Sequence, residues 1–110
     1  MPYLRFKGFP APFVEQIAPA VVDQFASIVD IPKEKVKLEL LQVLQITNTP
    51  LSVEIMMFPR AQRLHDDLAA AIHDLLFAHD YRNVHIFFIL LSPELYYKEG
   101  KPLQVFPGPR

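Results

Sequence analysis

The sequence contains no cysteine, and its 110 residues carry a net charge of only −1. Without cysteine the chain can form no disulfide bond and can use no thiol chemistry. A charge balance this close to neutral gives no excess of either sign that would attract nucleic acid or an anionic membrane. We therefore predict that neither is a partner.

Targeting segments and long apolar runs are also missing. The first residues, "MPYLRFKGF", lack an apolar stretch of signal-peptide length. The longest purely apolar run, "IFFILL" at 86–91, is far shorter than the roughly 18 residues that a membrane span requires. From these features we expect a cytoplasmic protein that does not enter the membrane.

Several catalytic signatures are absent as well. The sequence has no glycine-rich phosphate loop, no nucleophile elbow and no paired catalytic carboxylates. We therefore predict no cofactor.

The length fits one domain, which we place at residues 1–106, followed by a loose tail, "PGPR", at 107–110.

The hydrophobic pattern that is present predicts six main elements in the order βαββαβ. Alternating side chains indicate strands, and apolar residues three and four apart indicate helices. The predicted elements are strands at 3–7, 36–46, 51–58 and 84–91, with helices at 13–29 and from Pro59 to about 76. We expect Pro19 to produce a kink or a locally irregular first turn in the first helix, because an interior proline removes one backbone hydrogen bond.

Two of the predicted strands are apolar on both sides. "LLQVLQI" at 40–46 and "VHIFFILL" at 84–91 show this pattern, which is typical of strands buried from two sides. Helices on one sheet face leave the other face uncovered in a single domain. Because monomers rarely expose large apolar patches, we predict self-association.

The βαββαβ order fits both a ferredoxin-like sandwich and a tandem βαβ arrangement. The similarity of "GFPAP" at 8–12 to "MFPRA" at 57–61 favours a duplicated βαβ unit. A ferredoxin-like RNA binder is disfavoured, since "SVEIMMF" lacks the basic and stacking aromatic side chains that such sheets use. The predicted fold is therefore α+β: a tandem βαβ repeat forming a four-stranded mixed sheet with two helices on one face.

The segments "MPYLRFKGFPAPFVEQIAPAVVDQFASIVDIPKEKVKLEL" and "MMFPRAQRLHDDLAAAIHDLLFAHDYRNVHIFFILLS" together resemble the two halves of a tautomerase-superfamily chain. The shared features are a proline after the initiator, a short strand, a helix, and a proline just before the second strand. The resemblance is to the macrophage migration inhibitory factor and malonate semialdehyde decarboxylase branch, and it covers residues 2 to about 105. It implies an uncharacterised subgroup, and a homotrimer whose three sheets pack into a barrel.

For Pro2 the resemblance implies a catalytic role in moving a proton on a carbon next to a carbonyl. This requires removal of Met1, which leaves a secondary amine whose pKa apolar surroundings and a nearby cation would lower toward neutrality. The alternative is that Pro2 is an ordinary residue opening the first strand.

Arg60 and His85 are the predicted substrate-binding residues. Arg60 matches the second arginine of the Arg-Pro-Arg segment that grips a substrate carboxylate in decarboxylase-type members. Phe58 stands in place of the first, which weakens a decarboxylase assignment, and Ile31 stands where the migration-factor branch has a lysine. His85 falls where that branch has a pocket tyrosine. The alternatives are an exposed first-turn arginine without a function and a hydrogen-bonded interface histidine.

Histidine precedes aspartate three times, at 65–66, 73–74 and 79–80. Adjacent residues on a helix point about 100° apart, so in the two pairs within the predicted helix, 65–66 and 73–74, the histidine and aspartate of one pair cannot chelate a metal by themselves. We interpret these residues as a solvated helix face and predict no metal site. Tyr96 and Tyr97 could line a pocket mouth or serve packing.

The sequence thus predicts a homotrimeric tautomerase or isomerase that uses the Pro2 amine on a small carbonyl or enol acid bearing a carboxylate. The alternative is a non-catalytic oligomeric or small-ligand-binding protein on the same fold.

Overall fold

A computed structural model describes residues 2–103, in which a four-stranded sheet has the strand order β2-β1-β3-β4. The main elements are β1 (Tyr3–Lys7), α1 (Ala11–Val29), β2 (Lys37–Leu41), β3 (Ser52–Met57), α2 (Gln62–Phe77) and β4 (His85–Leu90). A short hairpin of β5 (Tyr97–Lys98) and β6 (Lys101–Pro102) follows. The predicted end of the domain and the tail at 107–110 lie outside the described residues.

Each half of the sheet is a parallel pair joined by one helix. β1 runs parallel to β2, β3 runs parallel to β4, and the two pairs meet where β1 lies antiparallel to β3. The α+β tandem βαβ fold predicted from the sequence is confirmed.

Both helices pack on one face of the sheet, where alternate strand residues form the core. Leu4 and Phe6 of β1 lie opposite Ile55 and Val53 of β3, and all four side chains are inaccessible to solvent. Each helix contributes one apolar stripe, as the three- and four-residue spacing predicts. The buried helical residues are Val14, Ile17, Val21, Phe25, Ala26 and Val29 of α1, and His65, Leu68, Ile72 and Leu76 of α2.

The helix α1 continues through Pro19. Pro19 and Glu15, whose carbonyl the missing N–H would have served, are both exposed. Water can therefore hydrogen-bond to that carbonyl, and the proline lies within an unbroken helix.

The prediction of a long β2 covered on both sides is wrong. β2 ends at Leu41, and the apolar residues after it are exposed: Leu44 by 86% and Ile46 by 83%. Among the described strands β2 pairs only with β1, which ends at Lys7. The next residue, Gly8, has a φ of 87° and turns the chain away. The hydrogen bond from Gly8 N–H to the Leu41 carbonyl closes the pairing of these segments, because beyond it β2 has no partner in the described sheet.

The sheet face opposite the helices, here called the open face, changes character from one edge to the other. On β1 and β2 it carries charged residues, with Arg5 paired to Glu39. On β4 it carries Phe87 and Ile89, which are 43% and 40% exposed. A single chain therefore covers β4 from the helix side alone, and the second covering that the sequence predicts would have to come from self-association.

Within residues 2–103, neither helix combines the length and the apolar character that crossing a bilayer demands.

Candidate functional site

Pro2 is buried at the start of β1 and lines a small cavity with Arg60. Its carbonyl oxygen accepts a hydrogen bond from the Lys37 N–H at 3.0 Å, which fixes the beginning of β1 beside β2. The other walls of this cavity, here called the proline cavity, are apolar: Phe25, Val29, Ile31, Met57 and Phe58. The predicted catalytic residue and one predicted substrate-binding residue thus lie in the wall of one cavity.

Strand register explains why Arg60 lies near Pro2. β1 and β3 are antiparallel with Tyr3 opposite Met56, so the residue before Tyr3 faces the end of β3. The chain then leaves the sheet through Phe58, Pro59 and Arg60 before α2 begins at Gln62. Arg60 therefore lies in the loop before α2, where it is half-buried. The predicted helix start at Pro59 is wrong, because α2 begins at Gln62.

His65 holds this loop, and the sequence analysis missed it. The Arg60 backbone N–H donates a hydrogen bond to His65 Nε2 at 3.2 Å, so Nε2 is unprotonated and the neutral ring carries its proton on Nδ1. The ring is 8% exposed and packs edge-on against Phe88, with 4.5 Å between the ring centroids. The interpretation of His65 as part of a solvated helix face is wrong.

The second nitrogen of His65 has no evident structural task. Nδ1 is buried and has no hydrogen-bond partner among the described residues. A buried polar atom without a partner costs free energy, and the hydrogen bond that the ring accepts from Arg60 is made by its other nitrogen. A helical stripe counted as 65, 68, 72 and 76 would have found this histidine.

The size of the proline cavity limits what it can contain. Its volume is about 30 Å³. Pockets that hold whole ligands usually measure about 300–1,000 Å³, and a site of this size holds about one or two waters. The proline cavity is therefore too small to enclose a whole ligand of ordinary size.

His85 lies far from these residues within one chain. It is opposite Ser52 at the start of β3, whereas Pro2 lies beyond Met56 near the other end of that strand. Five residues of strand span about 17 Å. His85 instead lines a cavity of about 300 Å³ with Lys7, Ser52 and Phe87.

The other residues singled out in the sequence fall elsewhere. Asp66, His73, Asp74, His79 and Asp80 are exposed, and His79 contacts the ring of Phe13. Across residues 2–103, no three histidine or acidic side chains are grouped so that they could hold a metal ion.

Comparison with known proteins identifies the relatives of this chain. Residues 1–102 match the profile of a family described as "Domain of unknown function (DUF1904)". A crystal structure of a DUF1904 domain from Sebaldella termitidis superposes with a TM-score of 0.85 at 20% identity, covering 94% of this chain and 100% of that one. No curated protein matches the sequence.

Two tautomerase-superfamily proteins share the fold. A macrophage migration inhibitory factor-like protein from Entamoeba histolytica superposes with a TM-score of 0.71 at 9% identity, covering 93% of this chain and 98% of that one. Malonate semialdehyde decarboxylase, solved in wild-type, mutant and inactivated forms, gives 0.67 at 12% identity, covering 86% and 88%. The predicted resemblance to this superfamily is confirmed at the level of fold.

Proposed function

We propose that this chain, which belongs to the DUF1904 family, is a tautomerase or isomerase that uses the amine of Pro2, freed by removal of Met1, on a small carbonyl or enol acid. The observation that carries the proposal is the shared cavity: Pro2 and Arg60 line it together, and its other walls are apolar. In the solved mutant of malonate semialdehyde decarboxylase, alanine replaces the proline at the first position, which marks an N-terminal proline as a residue of interest in a protein of this fold.

Apolar walls and a cation favour the neutral form of an amine. Burial disfavours the charged ammonium, and a guanidinium nearby adds like-charge repulsion, so both lower the pKa of an amine placed here. An amine that is neutral near pH 7 can accept a proton. It would take the hydroxyl proton of an enol and, as the ammonium, return a proton to the adjacent carbon, which regenerates the amine.

Arg60 supplies the grip on the substrate carboxylate. Its guanidinium can donate two parallel hydrogen bonds to the two carboxylate oxygens. The hydrogen bond from its backbone to His65 fixes the loop that carries it. The reacting carbon would then lie between this anchor and the Pro2 nitrogen.

Self-association belongs to the same proposal. Phe87 and Ile89 form an exposed apolar stripe on the open face of the edge strand β4. Burying this stripe between copies would remove apolar surface from water, and a homotrimer is the assembly that the superfamily resemblance implies. His85, on the same strand, can serve the Pro2 site only from a neighbouring copy. The cytoplasmic location stays a prediction.

The proposal is tested by ketonisation of phenylenolpyruvate, which needs one positioned amine and a carboxylate grip. Processed wild-type protein should accelerate it, and Pro2→Ala should lose about 10²-fold or more in kcat. Sedimentation should show a trimer for both proteins. If several enol acids give no acceleration, or if Pro2→Ala matches the wild type, the alternative of a non-catalytic binding protein replaces this one.

A further inference from the structure

A second cavity, of about 370 Å³, opens at the same end of the sheet and lies on the open face. Three lysines and three tyrosines line it: Lys35, Lys37, Lys98, Tyr3, Tyr96 and Tyr97. We call it the lysine cavity. Its size is within the range of ordinary ligand pockets.

Three separate segments bring these side chains together. Tyr3 and Lys37 are register partners on the parallel strands β1 and β2. Lys35 ends the short 3-10 turn before β2, and Tyr97 and Lys98 form β5 of the C-terminal hairpin. The Leu103 N–H donates to the Tyr96 carbonyl at 2.9 Å, which ties the far end of that hairpin beside Tyr96.

The charge of the lysine cavity contrasts with that of the whole chain. Its described walls carry three cations and no carboxylate, although the protein as a whole is at −1. The Lys37 ammonium donates one hydrogen bond to the Glu34 carbonyl at 3.0 Å and retains further donor hydrogens. Like charges held close together repel, and an anion placed among them relieves that repulsion.

The tyrosines add a directed donor. The hydroxyls of Tyr3 and Tyr96 lie 2.9 Å apart in a hydrogen bond. Two hydroxyl groups have two protons, one of which joins the pair, so the other can be donated to a ligand. The hydrogen bond with Tyr3, followed by burial, raises the pKa of Tyr96, so this phenol, which is protonated at neutral pH in any case, holds its proton more tightly.

We propose that the lysine cavity binds a small organic molecule carrying two or more negative charges, held by Lys35, Lys37 and Lys98 and by the Tyr3–Tyr96 hydroxyl pair. Three cations in one cavity match a phosphate monoester or a dicarboxylate better than a single carboxylate. The phenol rings provide flat apolar surface for the carbon skeleton. This site uses neither the Pro2 amine nor the Arg60 side chain.

The test uses protein that retains Met1, in which Pro2 is an amide without basicity, so the result does not depend on the proposed catalysis. Phenyl phosphate, succinate and the monoanion benzoate are titrated into labelled protein, and backbone amide shifts are followed by NMR. Phenyl phosphate or succinate should saturate and shift Tyr3, Lys37 and Tyr96, with benzoate at least several-fold weaker. The stronger of the two dianions identifies the ligand class.

Matched variants assign the contacts. Lys98→Gln should weaken binding by about 2- to 5-fold, the scale of one partly exposed charge pair. Lys101→Gln, which alters the register partner of Lys98 outside the cavity, makes the same change in net charge and should have no effect. Tyr3→Phe should weaken binding by about threefold through loss of the hydroxyl pair.

Three results would overturn the proposal: no saturable binding of either dianion, equal effects of Lys98→Gln and Lys101→Gln, or shifts centred on Arg60. The last would place the anion in the proline cavity, and Arg60→Ala would then abolish binding. The proposal requires that Arg60→Ala leave binding unchanged.

Discussion

Two cavities meet at the start of β1 and differ in almost every physical property. The proline cavity lies on the helix side, measures about 30 Å³ and has apolar walls with one guanidinium. The lysine cavity lies on the open face, measures about 370 Å³ and has three ammonium groups. Strand alternation places Pro2 and Tyr3 on opposite sides of the sheet, so Pro2 lines the proline cavity and Tyr3 lines the lysine cavity.

This difference separates two kinds of chemistry. A small apolar site removes water and lowers the pKa of an amine, which suits proton transfer. A larger site lined by cations attracts anions, which suits binding. The rings of Phe58 and Tyr96, whose centroids lie 5.9 Å apart, form the contact between the two cavities. None of the described residues lines both cavities, so changes in one cavity should leave the other largely intact.

Arg60→Ala should produce the largest difference between the two cavities. Loss of a charged, bidentate donor should lower kcat/KM for phenylenolpyruvate by roughly 10- to 100-fold, mainly through KM if the grip is equal in ground and transition states. Arg63→Ala, an exposed arginine in the first turn of α2, is the matched control and should match the wild type. Steady-state kinetics on both variants decides. Equal losses in both would mean that Arg60 makes no specific contact with the substrate.

Replacing His65 should change the kinetics less than replacing Arg60, because His65 would act only through the position of Arg60. His65→Leu keeps the bulk but removes the acceptor for the Arg60 N–H, and should raise KM by about 3- to 10-fold with little change in kcat. His65→Gln, which restores an acceptor, should recover part of the loss. His73→Leu, exposed on the same helix, is the control.

A double variant distinguishes positioning from general destabilisation. Once Arg60 is alanine there is no side chain to place, so His65→Leu should add nothing further to KM. Additive losses in the double variant would refute a positioning role and leave His65 as a packing residue.

The smallest expected change is in the ionisation of Tyr96 in the lysine cavity, and it appears only at alkaline pH. The raised pKa of Tyr96 means that the folded protein holds this proton more tightly than the unfolded chain does. The associated stability is present below the ordinary tyrosine pKa of about 10 and is lost as the pH rises through the raised value. Near-ultraviolet titration should show one of the four tyrosines ionising late. Tyr3→Phe should return that step toward the ordinary range, and an unchanged late step would show that Tyr3 is not its cause.

Much of the fold could be predicted because its signals are local. Alternation at 3–7 predicts that Leu4 and Phe6 share one face of a strand, and both side chains are inaccessible to solvent in the core. The premature end of β2 could not be read locally, because it depends on where β1 stops rather than on the apolar residues of 42–46.

The details of the two cavities depended on contacts between distant residues. His65 was assigned to a solvated face because it stands beside Asp66, although its spacing from Leu68 places it on the buried stripe. The lysine cavity depends on a hairpin that returns to β1, with Tyr3 and Tyr96 separated by 93 positions. No short-range pattern reports such a contact.

The central claim is that Pro2 acts through a free amine, and it is tested most directly by comparing two forms of one sequence. Protein with Met1 removed and protein that retains it are separated, identified by intact mass and assayed side by side with phenylenolpyruvate. We expect acceleration only from the processed form, with a difference in kcat of about 10²-fold or more, since the retained form has an amide at Pro2. Equal rates in the two forms would contradict the account and leave Pro2 as the residue that opens β1.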